Sequence, residues 1–289
     1  MDYILENKAL KIKINSLGAE LTEIINKENG LSYLWDANPK YWKRSSPVLF
    51  PNVGKYKDST FTYNGEVYKQ GQHGFARDME FELLEQKENY ISFVLNSCEQ
   101  TLKTYPFEFS LILAYELIDN EIKVIWKVKN TGDKEMYFAI GAHPAFNVPL
   151  VDEKRSDCYL YLKGIDKIVS NKINKDGLSS NELVEYNLDN GYLNISDDLF
   201  DADALVIEDQ DIKEISITDK SKKPYITVKM DVPLFGIWSP NREAPFVCIE
   251  PWYGRCDSHD YCGDITNRKY ENKLNSNEVF DVNYSIIID

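Results

Sequence analysis

Two histidines and one glutamate, each in a turn marked by glycine or proline, are the residues of this sequence best suited to acid/base chemistry. His143 lies in the segment GAHPAFN, His73 in GQHGFARD and Glu250 in CIEPWYG. An imidazole can transfer protons near pH 7, and a carboxylate can accept one. The proline after His143 holds that residue extended, which favours a position at the rim of a site. Any one of these turns alone is more often structural, but together they predict an acid/base constellation.

The elements that position these turns are predicted to be short strands. Between residues 121 and 130, Ile122, Val124, Trp126 and Val128 alternate with lysines, which is the pattern of a half-buried strand with a solvated outer face. No segment predicts an amphipathic helix longer than a turn or two, and 149–202 has only a weak pattern. The sequence therefore predicts an all-β, antiparallel sandwich. Its other predicted strands are 3–14, 17–25, 31–35, 60–63, 66–68, 79–85, 90–96, 107–118, 159–162, 204–207, 214–218, 225–230, 234–239, 246–250 and 284–288.

Composition and charge exclude several classes of partner. The 33 Lys and Arg against 47 Asp and Glu give a net charge of −14, which repels phosphate backbones and anionic lipids. We expect no nucleic-acid or membrane partner. Five cysteines do not form an obvious disulfide framework, and the start MDYILEN lacks the features of a signal peptide. We therefore expect a cytoplasmic protein with one domain over residues 1–289, acting as a monomer or weak homodimer.

Four motifs, in this order along the chain, resemble the aldose 1-epimerase (galactose mutarotase-like) family and most closely its LacX-like branch. Several motifs in register are more specific than any single one. The resemblance implies an antiparallel β-supersandwich with few short helices and a sugar pocket on a concave sheet face. The motifs are PVLFP (47–51) followed by Gly54-Lys55, QHGFAR (72–77), GAHPAFN (141–147) and CIEPW (248–252).

The resemblance also implies roles for individual residues. Glu250 matches the family's general base, His143 its general acid, and His73 a histidine that binds the sugar near its ring oxygen. The family has an arginine where this chain has Lys55. Lysine keeps the charge but loses the planar, two-pronged donor geometry, so the sequence departs from the family at this contact.

Further substrate-binding residues are expected near these motifs. The family's substrate-holding aspartate falls at Asp203, although Asp201 is close enough to compete for the match. Trp252, together with Trp238 and Tyr253, offers apolar surface for the C–H face of a sugar. Arg77 is a further candidate for binding substrate, because it lies in the same motif as His73.

The chemistry expected of this set is mutarotation, with galactose or glucose as the first substrates to test. The anomeric hydroxyl loses a proton and the ring oxygen gains one, so the ring opens to an aldehyde that recloses on either face. A carboxylate and an imidazolium facing each other across the sugar can act as base and acid. We expect neither a metal nor a nucleotide cofactor.

Alternatives to this function remain open at the level of sequence. Lys55, Lys57, Arg77 and Arg255 lie in or beside the motif turns and could gather around a hexose 6-phosphate. A non-catalytic sugar-binding protein would retain the aromatic residues and lose the acid or the base. A glycoside hydrolase usually needs two facing carboxylates, and only Glu250 lies in a motif.

A metal site is the remaining alternative. Cys256, His259 and Cys262 follow one another at three-residue intervals, and thiolate and imidazole are ligands that zinc accepts. A structural zinc site normally has four protein ligands, and Cys248 is not at an evident spacing to provide the fourth. Free thiols and a surface histidine are therefore the favoured interpretation.

Overall fold

The computed structural model describes all 289 residues, which form 24 strands and a few single-turn helices. Strands of the first half are β1 (Asp2–Glu6), β2 (Leu10–Asn15), β3 (Glu20–Asn26), β4 (Val48–Leu49), β5 (Thr60–Tyr63), β6 (Glu66–Lys69), β7 (Glu82–Gln86), β8 (Tyr90–Asn96), β9 (Phe109–Ile118), β10 (Glu121–Asn130), β11 (Met136–Phe138) and β12 (Ile140–Ala142). Strands of the second half are β13 (Ala145–Asn147), β14 (Tyr159–Tyr161), β15 (Lys167–Ile173), β16 (Ser179–Asn187), β17 (Tyr192–Asn194), β18 (Leu205–Glu208), β19 (Glu214–Thr218), β20 (Pro224–Met230), β21 (Leu234–Trp238), β22 (Phe246–Tyr253), β23 (Asn272–Leu274) and β24 (Val279–Ile288). The helices are α1 (Glu99–Leu102) and 3-10 turns at Lys57–Ser59, Ala76–Asp78, Arg155–Asp157 and Ile265–Asn267.

Two large antiparallel sheets dominate the fold. One has the strand order β17-β14-β19-β20-β24-β10-β9-β8-β7, and the other β16-β15-β18-β21-β22-β12-β4, with β13 also paired to β22. Smaller sheets are formed by β1–β3, by β5 with β6, and by β11 with β23. The predicted antiparallel, all-β architecture is confirmed. No helix is both long and apolar enough to cross a bilayer.

Strand β10 shows why the alternating pattern was informative. Ile122, Val124, Trp126 and Val128 are buried, whereas the lysines between them are partly or fully exposed. Burying an aliphatic or aromatic side chain of this size contributes about 1.5–3 kcal/mol, so a register slip that exposed this face would be costly. The strand lies between β9 and β24, and the core it belongs to extends from Leu5 to Ile288.

The predicted strand at 31–35 is wrong. This segment makes only isolated bridges, Ser32 with Ile25 and Leu34 with Phe146. The carbonyls of Ser32 and Leu34 accept hydrogen bonds from the Asn147 side chain, at 3.0 and 3.1 Å. Because a side chain from a distant segment satisfies these groups, they do not join a ladder.

The sequence pattern also missed the hairpin of β15 and β16. Strand β16 lies at the edge of its sheet and most of its side chains are exposed, so it has no apolar face to mark it. Cross-strand ion pairs contribute instead, joining Lys167 to Glu185 at 2.8 Å and Lys172 to Glu182 at 3.1 Å. The backbone ladder therefore forms without the alternation by which strands are recognised.

The loop with His73 lies against the end of strand β4 because Gly74 permits a very close approach. A Cβ on Gly74 would lie 2.1 Å from the carbonyl oxygen of Phe50, and the glycine has a φ of 69°. Only glycine adopts that conformation in contact with another backbone without strain. The amides of Phe75 and Ala76 both donate to the same Phe50 carbonyl, at 3.0 and 3.1 Å, which fixes the loop.

Candidate active site

A cavity of about 590 Å³ lies on one face of the sheet that contains β22. Its wall takes residues from β15, β18, β21 and β22, together with the turns that follow β4 and β12. The volume is within the range of about 300–1,000 Å³ that small-molecule sites occupy. Eight of the residues expected at a sugar or sugar-phosphate site line it: His73, Arg77, His143, Asp203, Trp238, Glu250, Trp252 and Arg255.

Strand register places His143 opposite Glu250. Gly141 of β12 pairs with Trp252, and Ala145 of β13 pairs with Cys248, so the residue between them faces Glu250. His143 Nε2 lies 3.2 Å from Glu250 Oε2. The two residues are only 7% and 1% exposed. His143 is therefore buried in the wall of the cavity, rather than at the open rim that its following proline suggested.

Burial shifts the pKa values of this pair in opposite directions. Desolvation, with smaller effects of Arg77 and Arg44, lowers the pKa of His143 to about 3. Desolvation also raises the pKa of Glu250 well above its usual value, and the negative charge of Asp203 adds to this. Each group consequently favours its neutral form, and a single proton shared by the pair favours the carboxyl group.

His73 is oriented by its own backbone neighbours. The amide of Gly54 donates to Nδ1 at 3.1 Å, so the neutral ring has its proton on Nε2. The Gln72 amide group lies 3.2 Å from Nε2. Burial lowers the pKa of His73 well below its usual value. The imidazole of His143 adds to this shift, since the two rings lie 5.7 Å apart. His73 is thus a neutral hydrogen-bonding group beside the acid/base pair.

Tryptophans form the apolar walls around His143. Trp42 stacks on its imidazole at 4.7 Å between centroids, and Trp238 meets it edge-on at 5.3 Å. Trp252 fits over two glycines, since a Cβ on Gly141 or Gly236 would lie 2.6 or 2.5 Å from its indole. These glycines make room for an aromatic wall that any larger residue would displace.

The aromatic residues next to the histidines in sequence do not contribute to this wall. Phe146 is fully buried in the main core, and Phe75 packs against that core. Tyr253 also lies outside the cavity wall, and its hydroxyl donates to the carbonyl of Asp231 at 2.5 Å. Tyr253 follows Trp252 in β22, and because successive strand residues point to opposite faces, it faces away from the cavity.

Lys55 is not part of the cavity wall. Its Nζ donates to the carbonyl of Asp176 at 3.2 Å, and its side chain packs behind Gly177, where a Cβ would meet Lys55 Cδ at 3.2 Å. Lys57 is also absent from the wall. The structure therefore places both lysines away from the position that the resemblance and the phosphate hypothesis assigned to them.

Arg255 lines the cavity with unused donors. It is 6% exposed, and its Nε forms an ion pair with Glu208 Oε1 at 3.1 Å. Its Nη1 is buried without a hydrogen-bond partner. A buried donor left unpaired costs about 1–3 kcal/mol, so the guanidinium is not fully satisfied by the protein itself.

Asp203 and Asp201 point to different surroundings. Asp203 lines the cavity, with a φ of 76° and its Oδ1 accepting from the Ala204 amide at 2.7 Å. Asp201 forms an ion pair with Arg242 outside that cavity. The structure thus brings Asp203, and not Asp201, to the acid/base pair.

The sequence pattern missed Trp42, Lys43 and Arg44, which also line the cavity. They lie in a segment between predicted strands where the sequence predicted no site residue. Arg44 donates a hydrogen bond to the Asp78 carboxylate at 2.7 Å. The pKa of neighbouring Arg77 is lowered to about 10, mainly by burial and secondly by the positive charge of Arg44. The sequence did contain a signal for these residues: an aromatic residue and two cations stand just before the PVLFP motif.

The Cys256, His259 and Cys262 segment does not form a metal cluster. Cys256 is buried and lines the cavity, whereas Cys262 is exposed and His259 Nδ1 lies 3.3 Å from the carbonyl oxygen of Ser179. All five cysteines are free, as expected. Metal-ligating side chains do converge elsewhere, at His143, Cys248 and Glu250.

An antiparallel supersandwich with an acid/base pair in a sugar-sized cavity defines a class of sugar-binding, mutarotase-like proteins. A sequence model described as "Aldose 1-epimerase" matches residues 1–262. The chain belongs to the aldose 1-epimerase family. The chromosomally encoded protein LacX of Lactococcus lactis subsp. lactis is 33% identical over 266 residues, which cover 88% of each chain.

Solved structures agree with this assignment. A galactose mutarotase related enzyme from Lactobacillus acidophilus is 34% identical, with a TM-score of 0.94 over 100% of this chain and 97% of that one. A galactose mutarotase-like protein from Lactobacillus casei ATCC 334 is 27% identical, with a TM-score of 0.92 over 100% of both chains. The β-supersandwich and the LacX-like resemblance inferred from four motifs are confirmed.

Proposed function

We propose that this protein is an aldose 1-epimerase that interconverts the α and β anomers of a free aldohexose, with galactose or glucose as the first substrates. The observation that carries the proposal is the contact of His143 with Glu250, at 3.2 Å in the wall of the cavity. Mutarotation needs one group to take a proton and another to give one, and this chain supplies both. We accordingly propose that no cofactor is needed.

Sugar binding has to redistribute the proton of this pair. In the free protein, burial raises the pKa of Glu250 and lowers that of His143, so both groups favour their neutral forms. A hydroxyl that donates to the Glu250 carboxylate stabilises its charged form, and one that donates to Asp203 weakens the repulsion between the two acids. Glu250 then accepts the anomeric proton, while His143 donates to the ring oxygen. Reclosure on the other face reverses these transfers.

The surrounding residues hold the sugar in this arrangement. The Nε2–H of His73 can donate to an oxygen near the ring once the sugar displaces the Gln72 amide group that lies 3.2 Å from it, and Asp203 can accept from a hydroxyl. Arg255 provides the unpaired Nη1 donor that Lys55 does not provide. The indoles of Trp238 and Trp252 cover the C–H face of the sugar.

NMR exchange spectroscopy at equilibrium tests the proposal directly. Exchange between the α and β anomeric signals of galactose and glucose should be faster with the protein than in buffer at the same pH. Heat-denatured protein at the same concentration controls for catalysis by buffer and carboxylates. If no hexose or hexose 6-phosphate exchanged faster than in buffer, the protein would be a sugar-binding member of the family rather than an enzyme.

A hexose 6-phosphate is the second candidate substrate, because the cavity is cationic although the chain as a whole is acidic. Lys43, Arg44, Arg77 and Arg255 line it, against the two carboxyl groups of Asp203 and Glu250. A phosphate would gain charge-assisted hydrogen bonds from these donors. Comparison of kcat/KM for glucose and glucose 6-phosphate at low and high salt distinguishes the candidates, since only the phosphorylated sugar should lose rate steeply with salt.

A further inference from the structure

The candidate acid/base pair has a third neighbour that mutarotation does not use. Cys248 and Glu250 are alternate residues of β22, so their side chains lie on one face, and His143 approaches them from the opposite strand. The thiol, the carboxyl and the imidazole offer sulfur, oxygen and nitrogen within 4.8 Å of one another. All three residues are buried.

We propose that His143, Cys248 and Glu250 form a binding site for a thiophilic divalent metal, best matched by Zn²⁺, and that the bound metal inhibits the protein. The metal is an inhibitor and not a cofactor. It would bind to the atoms that exchange protons with the sugar, so metal and sugar exclude each other. The inhibition rests on the proposed mutarotase function, whereas the binding does not.

The distances suit tetrahedral zinc. Two nitrogen or oxygen ligands at about 2.0–2.1 Å in tetrahedral geometry lie about 3.3 Å apart, and His143 Nε2 and Glu250 Oε2 are 3.2 Å apart. With a Zn–S distance of about 2.3 Å, the sulfur should lie roughly 3.5 Å from the other ligands. It is at most 4.8 Å away. The sulfur therefore has to approach by at most roughly 1.3 Å (4.8 against 3.5 Å) to complete three ligands, and a fourth can come from the cavity that His143 and Glu250 line.

The charges also balance. On binding, the Cys248 thiol and the Glu250 carboxyl each release a proton, and the neutral His143 ring donates its nitrogen lone pair. The resulting thiolate and carboxylate charges cancel the two charges of the metal, which a buried site requires. Mg²⁺ takes oxygen ligands in octahedral geometry and does not match this donor set.

Cobalt provides a probe that is independent of activity. Co²⁺ added to the apo protein, prepared by EDTA treatment and desalting, should give a thiolate-to-cobalt charge-transfer band that saturates at one equivalent. Cys248→Ala should lose the band, whereas Cys256→Ala, which removes the buried thiol that lines the cavity, should keep it. Zn²⁺ should displace the cobalt, and Mg²⁺ should not.

Activity provides the second readout. Zn²⁺ should inhibit mutarotation by the wild-type protein, and EDTA should restore the rate. Cys248→Ala should mutarotate at close to the wild-type rate, yet need at least about tenfold more Zn²⁺ for half inhibition, as expected for loss of a ligand. If Cys248→Ala does not fold, a competition experiment with the wild-type protein replaces this variant. Saturating sugar should then raise the apparent Kd for Co²⁺.

Two results would overturn the metal site: no thiolate band in the wild type, or loss of the band in Cys256→Ala but not in Cys248→Ala. Cobalt affinity unchanged by a sugar that the protein mutarotates would overturn the inhibition. A protein that binds one cobalt through Cys248 but has no mutarotase activity supports the metal site and contradicts the proposed function. The two claims therefore fail separately.

Discussion

His143 and Glu250 face each other at one register position of an interrupted antiparallel ladder. The paired residues on either side, Gly141 with Trp252 and Ala145 with Cys248, fix this position. Pro144 has no N–H, so the ladder breaks there and leaves the imidazole free to turn to the carboxyl group. The proposed acid and base are thus aligned by the backbone of a central strand, which is the rigid support that proton transfer needs.

The pH profile should be flat across mildly acidic conditions. The pair is competent when it holds one proton. As pH falls, the pair gains a second proton when His143 titrates, with a pKa of about 3. As pH rises, it loses its remaining proton when Glu250 titrates, and the pKa of Glu250 is raised. We therefore expect kcat/KM to be similar at pH 4 and pH 5, on either side of the usual carboxyl pKa, with circular dichroism as a control for folding. A fall of the rate through pH 4.5 would indicate an ordinary carboxylate instead.

Replacement of Glu250 by glutamine should stabilise the protein at alkaline pH. The pKa of Glu250 is raised in the folded state, so the wild type loses stability as pH rises above the unfolded value of about 4.5. The neutral amide has no such cost. In urea denaturation at pH 8, we expect the variant to be more stable by about 1–2 kcal/mol, with the gain vanishing near pH 4. Glu66→Gln, on an exposed hairpin, should show no gain.

The two histidines should respond differently to substitution by asparagine. His143→Asn removes the proposed acid and should lower kcat by about 10²–10⁴-fold. His73→Asn keeps a hydrogen-bonding side chain beside Gly54 and should mainly raise KM, because a binding group acts in both ground and transition states. Steady-state polarimetry separates the two. The opposite outcome would mean that the roles of acid and binder are exchanged.

Arg255, rather than Lys55, should be the cation that holds the sugar. Arg255→Met removes the unpaired Nη1 donor and should raise KM by about 10- to 100-fold, the equivalent of about 1.5–3 kcal/mol for a hydrogen bond to a charged group. Lys55→Met is the matched control, and we expect less than a threefold change, roughly the effect of one surface charge. A larger effect of Lys55→Met would show that its amine moves into the cavity on binding.

Local pattern and motif together predicted much of the fold and the central pair of the site. The strand at 121–130 could be predicted because its burial alternates with every residue. His143 and Glu250 could be singled out because a proline follows each titratable side chain, although Glu250 lies inside β22 and not in the turn expected for it. Asp201 and Asp203 could not be separated, since their surroundings depend on Arg242, which is distant in sequence.

Other features depend on contacts that no local pattern encodes. The Lys55 amine donates a hydrogen bond to a carbonyl in the loop between β15 and β16, and the sequence did not predict that hairpin. Trp42 becomes a wall of the cavity only because the fold stacks it on His143. The neutral state of the pair follows from burial, which the sequence alone left undecided.

The most direct test of the central claim is the rate of anomer exchange of galactose and glucose with wild-type protein and with Glu250→Gln, measured by NMR beside binding of the same sugar. The amide keeps the shape of the carboxyl group but cannot accept the anomeric proton. The account predicts faster exchange with the wild type, a loss of about 10²–10⁴-fold in the variant, and a sugar Kd that changes far less. Nearly full activity in Glu250→Gln would contradict the claim that Glu250 is the base.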